Sequence, residues 1–194
     1  MIKGLLLWGC ALLMSGCAHG VEGPGMSLTY ASLKKGVRID IESAKLPDGR
    51  GFSNAGSFGP NKRWMIGGAT LSAAPDSRQL PEWVEFEWQE WPYPSQAPPN
   101  ETQEEGNSRV HALARSLPRK TQRVSIRDRV PQDVVDEVIQ SHRDAPRGQL
   151  PEKALWIYLV WTDQGVKFRW QLERRPTLGG QTLLRSGGDE IENP

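Results

Sequence analysis

Two carboxylates on one predicted strand are the residues best placed to do chemistry. Glu85 and Glu87 alternate with apolar residues along residues 82–91, so they share one strand face about 7 Å apart. Paired carboxylates near that separation act as acid, base or nucleophile in glycoside hydrolysis. The same alternation is typical of a solvated strand face. Because Trp83 and Trp91 frame the two acids, and aromatic residues are enriched at interfaces, we favour a face that binds a protein.

Other catalytic motifs lack a necessary part. The chain has no GxSxG nucleophile elbow, no HExxH zinc motif and no phosphate-binding glycine loop. Beyond His19, its histidines are His111 and His142, which would need carboxylate partners to hold a metal. Adjacent Gly67-Gly68 favours a strand irregularity. We therefore expect no enzymatic activity, no metal and no cofactor.

The N-terminus has the pattern of an export signal. Lys3 precedes an apolar run over residues 4–14, and small residues lead to Cys17. That run is shorter than the roughly 20 residues that a membrane-spanning helix needs. The sequence therefore predicts a removed signal peptide over residues 1–16 rather than a retained transmembrane anchor.

The segment Leu13-Met14-Ser15-Gly16-Cys17 resembles the bacterial lipobox. The resemblance implies a lipoprotein in which Cys17 is acylated and becomes the first mature residue. Ala18 follows, where Asp would imply retention in the inner membrane, so the resemblance implies the outer membrane, facing the periplasm. Several acyl chains together give stable membrane anchoring.

Composition restricts the remaining chemistry. Cys10 would leave with the signal peptide and Cys17 would carry lipid, which leaves the folded part without a thiol or a disulfide. Removing Lys3 leaves 23 basic residues against 23 acidic ones, instead of a net charge of +1. A neutral chain has no overall field for nucleic acid.

Hydrophobic patterning predicts a mainly β, α+β domain. We expect an antiparallel sandwich or sheet with one packed helix near 131–143. The strand candidates are 36–43, 82–91, 121–130 and a hairpin over 155–173. The predicted order is a lipidated tether over 17–27, a single domain over 28–175 and a flexible C-terminal tail over 176–194.

The segment 95–108 is rich in Pro, Glu and Asn without periodicity, which predicts an exposed loop. Its acids extend the candidate binding surface. The candidate partner-contacting residues are therefore Trp83, Glu85, Glu87, Trp91, Glu101, Glu104 and Glu105.

The order of several segments carries a broader resemblance. It comprises Gly67-Gly68, the segment Leu80 to Trp88, a long loop, Val130-Pro131 opening a helix, and the pair Trp156 to Trp161 and Gly165 to Trp170. In this order the chain resembles a family of small Gram-negative lipoproteins that includes immunity proteins of type VI secreted phospholipase effectors. The resemblance implies a non-catalytic protein that binds and neutralises a phospholipase toxin in the periplasm. A structural or accessory envelope lipoprotein, and a carboxylate-dependent hydrolase, are the alternatives.

The lipobox resemblance makes a direct prediction. Cys17→Ser should abolish incorporation of labelled palmitate, because the thiol is the acyl acceptor. Cys10→Ser is the matched control and should be labelled normally. Palmitate incorporation by the Cys17→Ser protein would contradict the prediction.

Overall fold

Two β-sheets pack face to face in the computed structural model, which describes residues 23–65, 69–72, 79–93, 97–175 and 180–192. One sheet has five strands in the order β4-β1-β7-β8-β9, and the other has four in the order β3-β2-β5-β6. Neighbouring strands are antiparallel except for the parallel pair β1 and β7. The strands are β1 (Ser27–Ser32), β2 (Val37–Lys45), β3 (Ser57–Phe58), β4 (Ala69–Ser72), β5 (Trp83–Pro92), β6 (Lys120–Ser125), β7 (Lys153–Thr162), β8 (Gly165–Arg174) and β9 (Thr182–Gly188).

Helix α1 (Gln103–Ser116) joins β5 to β6, and α2 (Gln132–Asp144) joins β6 to β7 after a 3₁₀ turn over Arg127–Arg129. The mainly β fold with a packed helix at 131–143 is confirmed. Val134 and Val138 of α2 are fully buried in the core. In the part of the chain that the structure describes, no helix is long and apolar enough to span a membrane.

An aromatic cluster joins the two sheets. Trp161 of β7 is fully buried, and its ring centroid lies 5.2 Å from Phe58, 5.4 Å from Phe86 and 6.0 Å from Trp88. On its own sheet, Trp161 lies 6.1 Å from Tyr30. The edge-to-face arrangement of most of these pairs is the favourable one for aromatic rings. The cluster therefore holds β3 and β5 against β1 and β7.

The first strand, β1, was not predicted, and it begins at Ser27, the last residue of the predicted tether. Residues 28–32 are buried between β4 and β7, and Met26 is only 6% exposed. The sequence Leu-Thr-Tyr-Ala-Ser lacks a clear alternation because both of its faces are covered. Leu28 and Tyr30 contact the main core, whereas Ala31 joins a second cluster on the other face of the sheet. The predicted tether over 17–27 thus extends too far toward the domain.

A second correction is helix α1, which begins at Gln103 inside the segment 95–108 that was predicted as a loop, and continues beyond it to Ser116. Thr102 caps it, because its hydroxyl accepts a hydrogen bond from the Glu105 N–H while the Glu105 carboxylate accepts one from the Thr102 N–H. The spacing Thr-x-x-Glu is the sequence signature of such a capping box. No α1 side chain is buried, so the helix has little of the apolar periodicity that would have predicted it.

The predicted strand over 121–130 is shorter, because β6 ends at Ser125 and the 3₁₀ turn follows. Gly67-Gly68 lies outside the described residues.

A third correction concerns the predicted flexible tail over 176–194, which contains β9. A side chain at Gly187 would lie 2.8 Å from Trp170 Nε1, so glycine permits the close approach of β9 to β8. Asp189 then accepts hydrogen bonds from Arg129 (2.7 Å) and from the Phe168 N–H (2.8 Å). Burial raises the pKa of Asp189, but these two donors outweigh it and hold that pKa below its ordinary value. Residues 180–192 therefore belong to the folded domain.

The aromatic cluster predicts a large loss of stability in Phe86→Ala. The Phe86 ring is fully buried, so its removal should lower the free energy of unfolding by about 3 to 5 kcal/mol. Urea denaturation measures this difference. Val110→Ala on the exposed surface of α1 is the control, and it should change stability by less than about 0.5 kcal/mol. A loss of similar size in both variants would contradict the cluster's role.

Candidate functional site

The outer face of β5 carries the predicted binding residues. Val84, Phe86 and Trp88 point into the core and are at most 4% exposed. The alternate residues of the strand, Trp83, Glu85, Glu87, Gln89 and Trp91, therefore face away from the core. The alternating sequence predicted which side chains of this strand point into the core and which point outward, and the structure confirms that assignment.

Arginines from β6 and its flank neutralise the acids on this face. Glu85 accepts a hydrogen bond from Arg123 at 3.0 Å, and Glu87 accepts one from Arg119 at 3.3 Å. Arg119 also pairs with Glu42 of β2 at 3.0 Å. The acidic surface expected from the sequence is therefore an ion-paired surface with three carboxylates and two guanidinium groups. We call these five residues and Trp83 the β5–β6 face.

Trp83 and Trp91 differ in what they present. The Arg123 guanidinium lies 3.8 Å from the Trp83 ring centroid, within cation–π range, and Trp83 stays half-buried. Trp91 is only 8% exposed, with Arg38 lying 5.2 Å from its ring centroid. Trp83 is thus available to a partner, whereas Trp91 mainly packs.

Gln89 fixes helix α1 to this face. It is 4% exposed, and its amide donates hydrogen bonds to the carbonyl oxygens of Ala114 (2.8 Å) and Leu117 (2.9 Å). These carbonyls end the helix and have no partner within it. The side chain therefore positions the C-terminal end of α1 on the outer surface of β5.

The three predicted acids near α1 have separate surroundings. Arg109 donates two hydrogen bonds to Glu101, at 2.7 and 3.0 Å, and they lower the Glu101 pKa. Hydrogen bonds from Thr102 lower the pKa of Glu105 in the capping box. Glu104 is exposed. These acids lie at the N-terminal end of α1, whereas Gln89 holds the C-terminal end of the helix, about 20 Å away along its axis, on β5. The structure therefore does not unite the seven predicted residues in one site.

A second cluster, which the sequence did not predict, lies on the outer face of the five-stranded sheet. Tyr158 stacks with Trp156 at 6.5 Å and meets Trp64 edge to face at 5.0 Å. Its hydroxyl donates to Gln171 Oε1 at 2.9 Å. Burial, with a smaller contribution from Glu173, raises the pKa of Tyr158 to about 12. Apolar residues on both faces of β7 were a signal that this face is covered.

Glu173 is the unusual ionisable group in this cluster. Its Oε2 is buried without a hydrogen-bond partner, as is the indole nitrogen of Trp156. Burial raises the Glu173 pKa, and the charge of Arg175 opposes that shift only in part. Such carboxylates occur at functional sites and also in structural clusters. Glu173 is therefore a partly buried carboxyl group whose charged form is disfavoured.

The histidines do not converge. His111 lies exposed on α1, and His142 lies on α2 beside Gly25. Across the described residues, no group of three or more His, Cys, Asp or Glu side chains could hold a metal ion.

Comparison with known proteins gives no relative: no family model, curated protein or solved structure matches this chain.

The buried carboxyl makes a prediction about pH. Glu173 has a folded pKa above its ordinary value of 4.5, so the folded state loses stability as pH rises from that value through the folded pKa. Glu173→Gln should therefore raise the urea midpoint relative to the unchanged protein at pH 7, and the difference should shrink toward pH 4.

The matched control is Glu152→Gln, since that carboxylate is 61% exposed and pairs with Arg174. It should give no such pH-dependent gain. If Glu173→Gln were no more stable than the unchanged protein at pH 7, the charged form of Glu173 would not destabilise the folded state, and the prediction would be wrong.

Proposed function

We propose that this chain is an outer-membrane lipoprotein, acylated at Cys17 and facing the periplasm, which binds and neutralises a protein through the β5–β6 face. The observation that carries the proposal is the stack of Trp83, Arg123 and Glu85 on two paired strands. Trp and Arg are the residue types that most often dominate binding energy at protein interfaces.

The β5–β6 face is suited to binding a partner because its side chains are already held in place by ion pairs. Arg119 and Arg123 remain 66% and 55% exposed although each is paired with a carboxylate. A guanidinium has five N–H donors, so both retain donors for carboxylate or carbonyl groups of a partner. Side chains fixed before binding lose less conformational entropy on association.

The partner that we propose is a phospholipase effector delivered by type VI secretion. The support for this class is the family resemblance in the order of sequence segments, together with the Trp and Arg side chains displayed on the β5–β6 face. A protein held at the membrane lies where such an enzyme meets its lipid substrate. Binding would neutralise the enzyme by covering the entrance to its active site.

The test measures binding and protection together. Trp83→Ala and Arg123→Ala should each weaken binding to a phospholipase effector from the same cells by at least about tenfold, because they remove interface anchors. The same variants should fail to protect cells in which the effector is directed to the periplasm. Titration calorimetry and survival counts provide the two measurements.

The matched control is Asp133→Asn, which breaks an exposed ion pair with Arg185 at a different surface. It should bind and protect normally. Glu85→Lys with Glu87→Lys is a poorer probe, because it breaks two ion pairs and also places two lysines beside Arg119 and Arg123, where like charges repel. Equal binding by all variants would exclude the β5–β6 face, and the absence of any phospholipase partner would exclude the immunity function.

A further inference from the structure

We infer that the domain rests on the phospholipid surface through one end, which carries the exposed leucines Leu150 and Leu183. The inference rests on the proposed acylation of Cys17 and adds a membrane-contacting surface of the folded domain. We call this the anchor end: residues 23–26, the last turn of α2, the loop 145–152, the C-terminal end of β8 and the beginning of β9.

The topology brings these segments together. β1 and β7 are parallel with Ser27 beside Trp156, so both strands begin at the same end of the sheet. β8 is antiparallel to β7 and therefore finishes there, and β9 begins there. A side chain built on Gly25 would lie 3.7 Å from the His142 ring, which places the C-terminal turn of α2 at this end too. The β7–β8 turn at residues 163–164 lies at the opposite end.

The length of chain between the acylation site and the domain limits how the domain can sit. Six residue steps separate Cys17 from Gly23, and fully extended they span at most about 21 Å. A folded domain of this size has a radius of gyration of about 15 Å and is therefore about 40 Å across. The tether is too short to let the opposite end face the bilayer.

Two large apolar side chains project at the anchor end. Leu150 is 78% exposed, and Leu183, which pairs across the ladder with Glu173, is 53% exposed. Leu150 also lines an open cleft of about 640 Å³ between the C-terminal end of α2 and the ends of β7 and β8. Exposed leucines near a bilayer can insert at the boundary between headgroups and acyl chains.

The charges inside the cleft balance one another. Glu137 of α2 pairs with Lys153 at the start of β7, and Glu152 pairs with Arg174 at the end of β8. Asp144 and Arg175 also line the cleft, so three acidic and three basic residues balance there, and the electrostatic character of the anchor end depends on the residues around it.

The exposed Arg147 of the loop 145–152 suits an anionic headgroup layer. Next to the cleft, the end of β8 carries the carboxyl group of Glu173. Burial raises the pKa of Glu173, which makes its negative charge less favourable. Basic residues close to a membrane are attracted to anionic phospholipids. The acyl chains supply the affinity, the short tether keeps the anchor end near the bilayer, and the leucines and Arg147 seat that end among the headgroups.

The experiment measures that orientation with single fluorescent reporters. Once Cys10 is removed and Cys17 is acylated, the mature protein has no free thiol, so one introduced cysteine labels a single place. Gln149→Cys reports on the anchor end, and Gln164→Cys on the opposite end. Each full-length acylated protein is labelled with an environment-sensitive dye and placed in phosphatidylethanolamine–phosphatidylglycerol vesicles that contain a quenching lipid.

Quenching should be at least about threefold stronger at position 149 than at position 164, because only the anchor end meets the headgroups. Adding Leu150→Ser with Leu183→Ser should weaken quenching at position 149 by at least about twofold, because the tether still holds this end near the bilayer but the leucines no longer insert. The matched control Val110→Ser, at a 42% exposed residue of α1, should leave quenching at position 149 unchanged.

Equal quenching at both reporters would overturn the inference, as would quenching at position 149 that is just as strong without the two leucines. Acylation is verified first by palmitate incorporation, and its absence would refute the anchor on which the inference rests. A preference for position 149 in a protein that binds no phospholipase would leave this inference standing while excluding the proposed partner.

Discussion

The packing of Trp161 between the two sheets is the interaction on which the other features depend. Its ring is buried against aromatic side chains of both sheets, although its indole nitrogen has no hydrogen-bond partner. A buried unpaired donor costs about 1 to 3 kcal/mol, so the surrounding apolar contacts must outweigh that cost. Because Phe86 and Trp88 are held against Trp161, the side-chain parity of β5 is fixed. A shift of one residue would turn Trp83 and Glu85 into the core.

The sequence predicted elements with one covered face and missed those without that pattern. β5, α2 and the β7–β8 hairpin show alternation or a helical apolar stripe, and all three are present. β1 was missed because both of its faces are covered, and β9 because most of its side chains are exposed. That Glu85 and Glu87 share the outward face of β5 followed from the sequence of that strand alone. Their pairing with Arg123 and Arg119 did not, since it depends on the register between β5 and β6, which no single segment encodes.

Helix α1 is attached to β5 differently from the way the β5–β6 face is attached to the core. The helix buries none of its side chains, so its attachment depends on hydrogen bonds such as those from Gln89 to its last carbonyls. The face, in contrast, is built on a strand whose reverse side lies in the core. Local opening would therefore reach α1 before it reached the strands of the β5–β6 face, so the face that we propose for binding lies on the more firmly held part.

The pairing of β1 with β7 also restricts when the protein can fold. These neighbours are separated by about 130 residues of chain, and the parallel ladder between them cannot form until both are present. The last strand adds to the same sheet, and Asp189 fastens its end. A chain that emerges from its N-terminus therefore has β1 unpaired on the β7 side until residues 153–162 have been made. Such late closure leaves the five-stranded sheet incomplete for most of synthesis, so the N-terminal part of the chain cannot finish its core on its own.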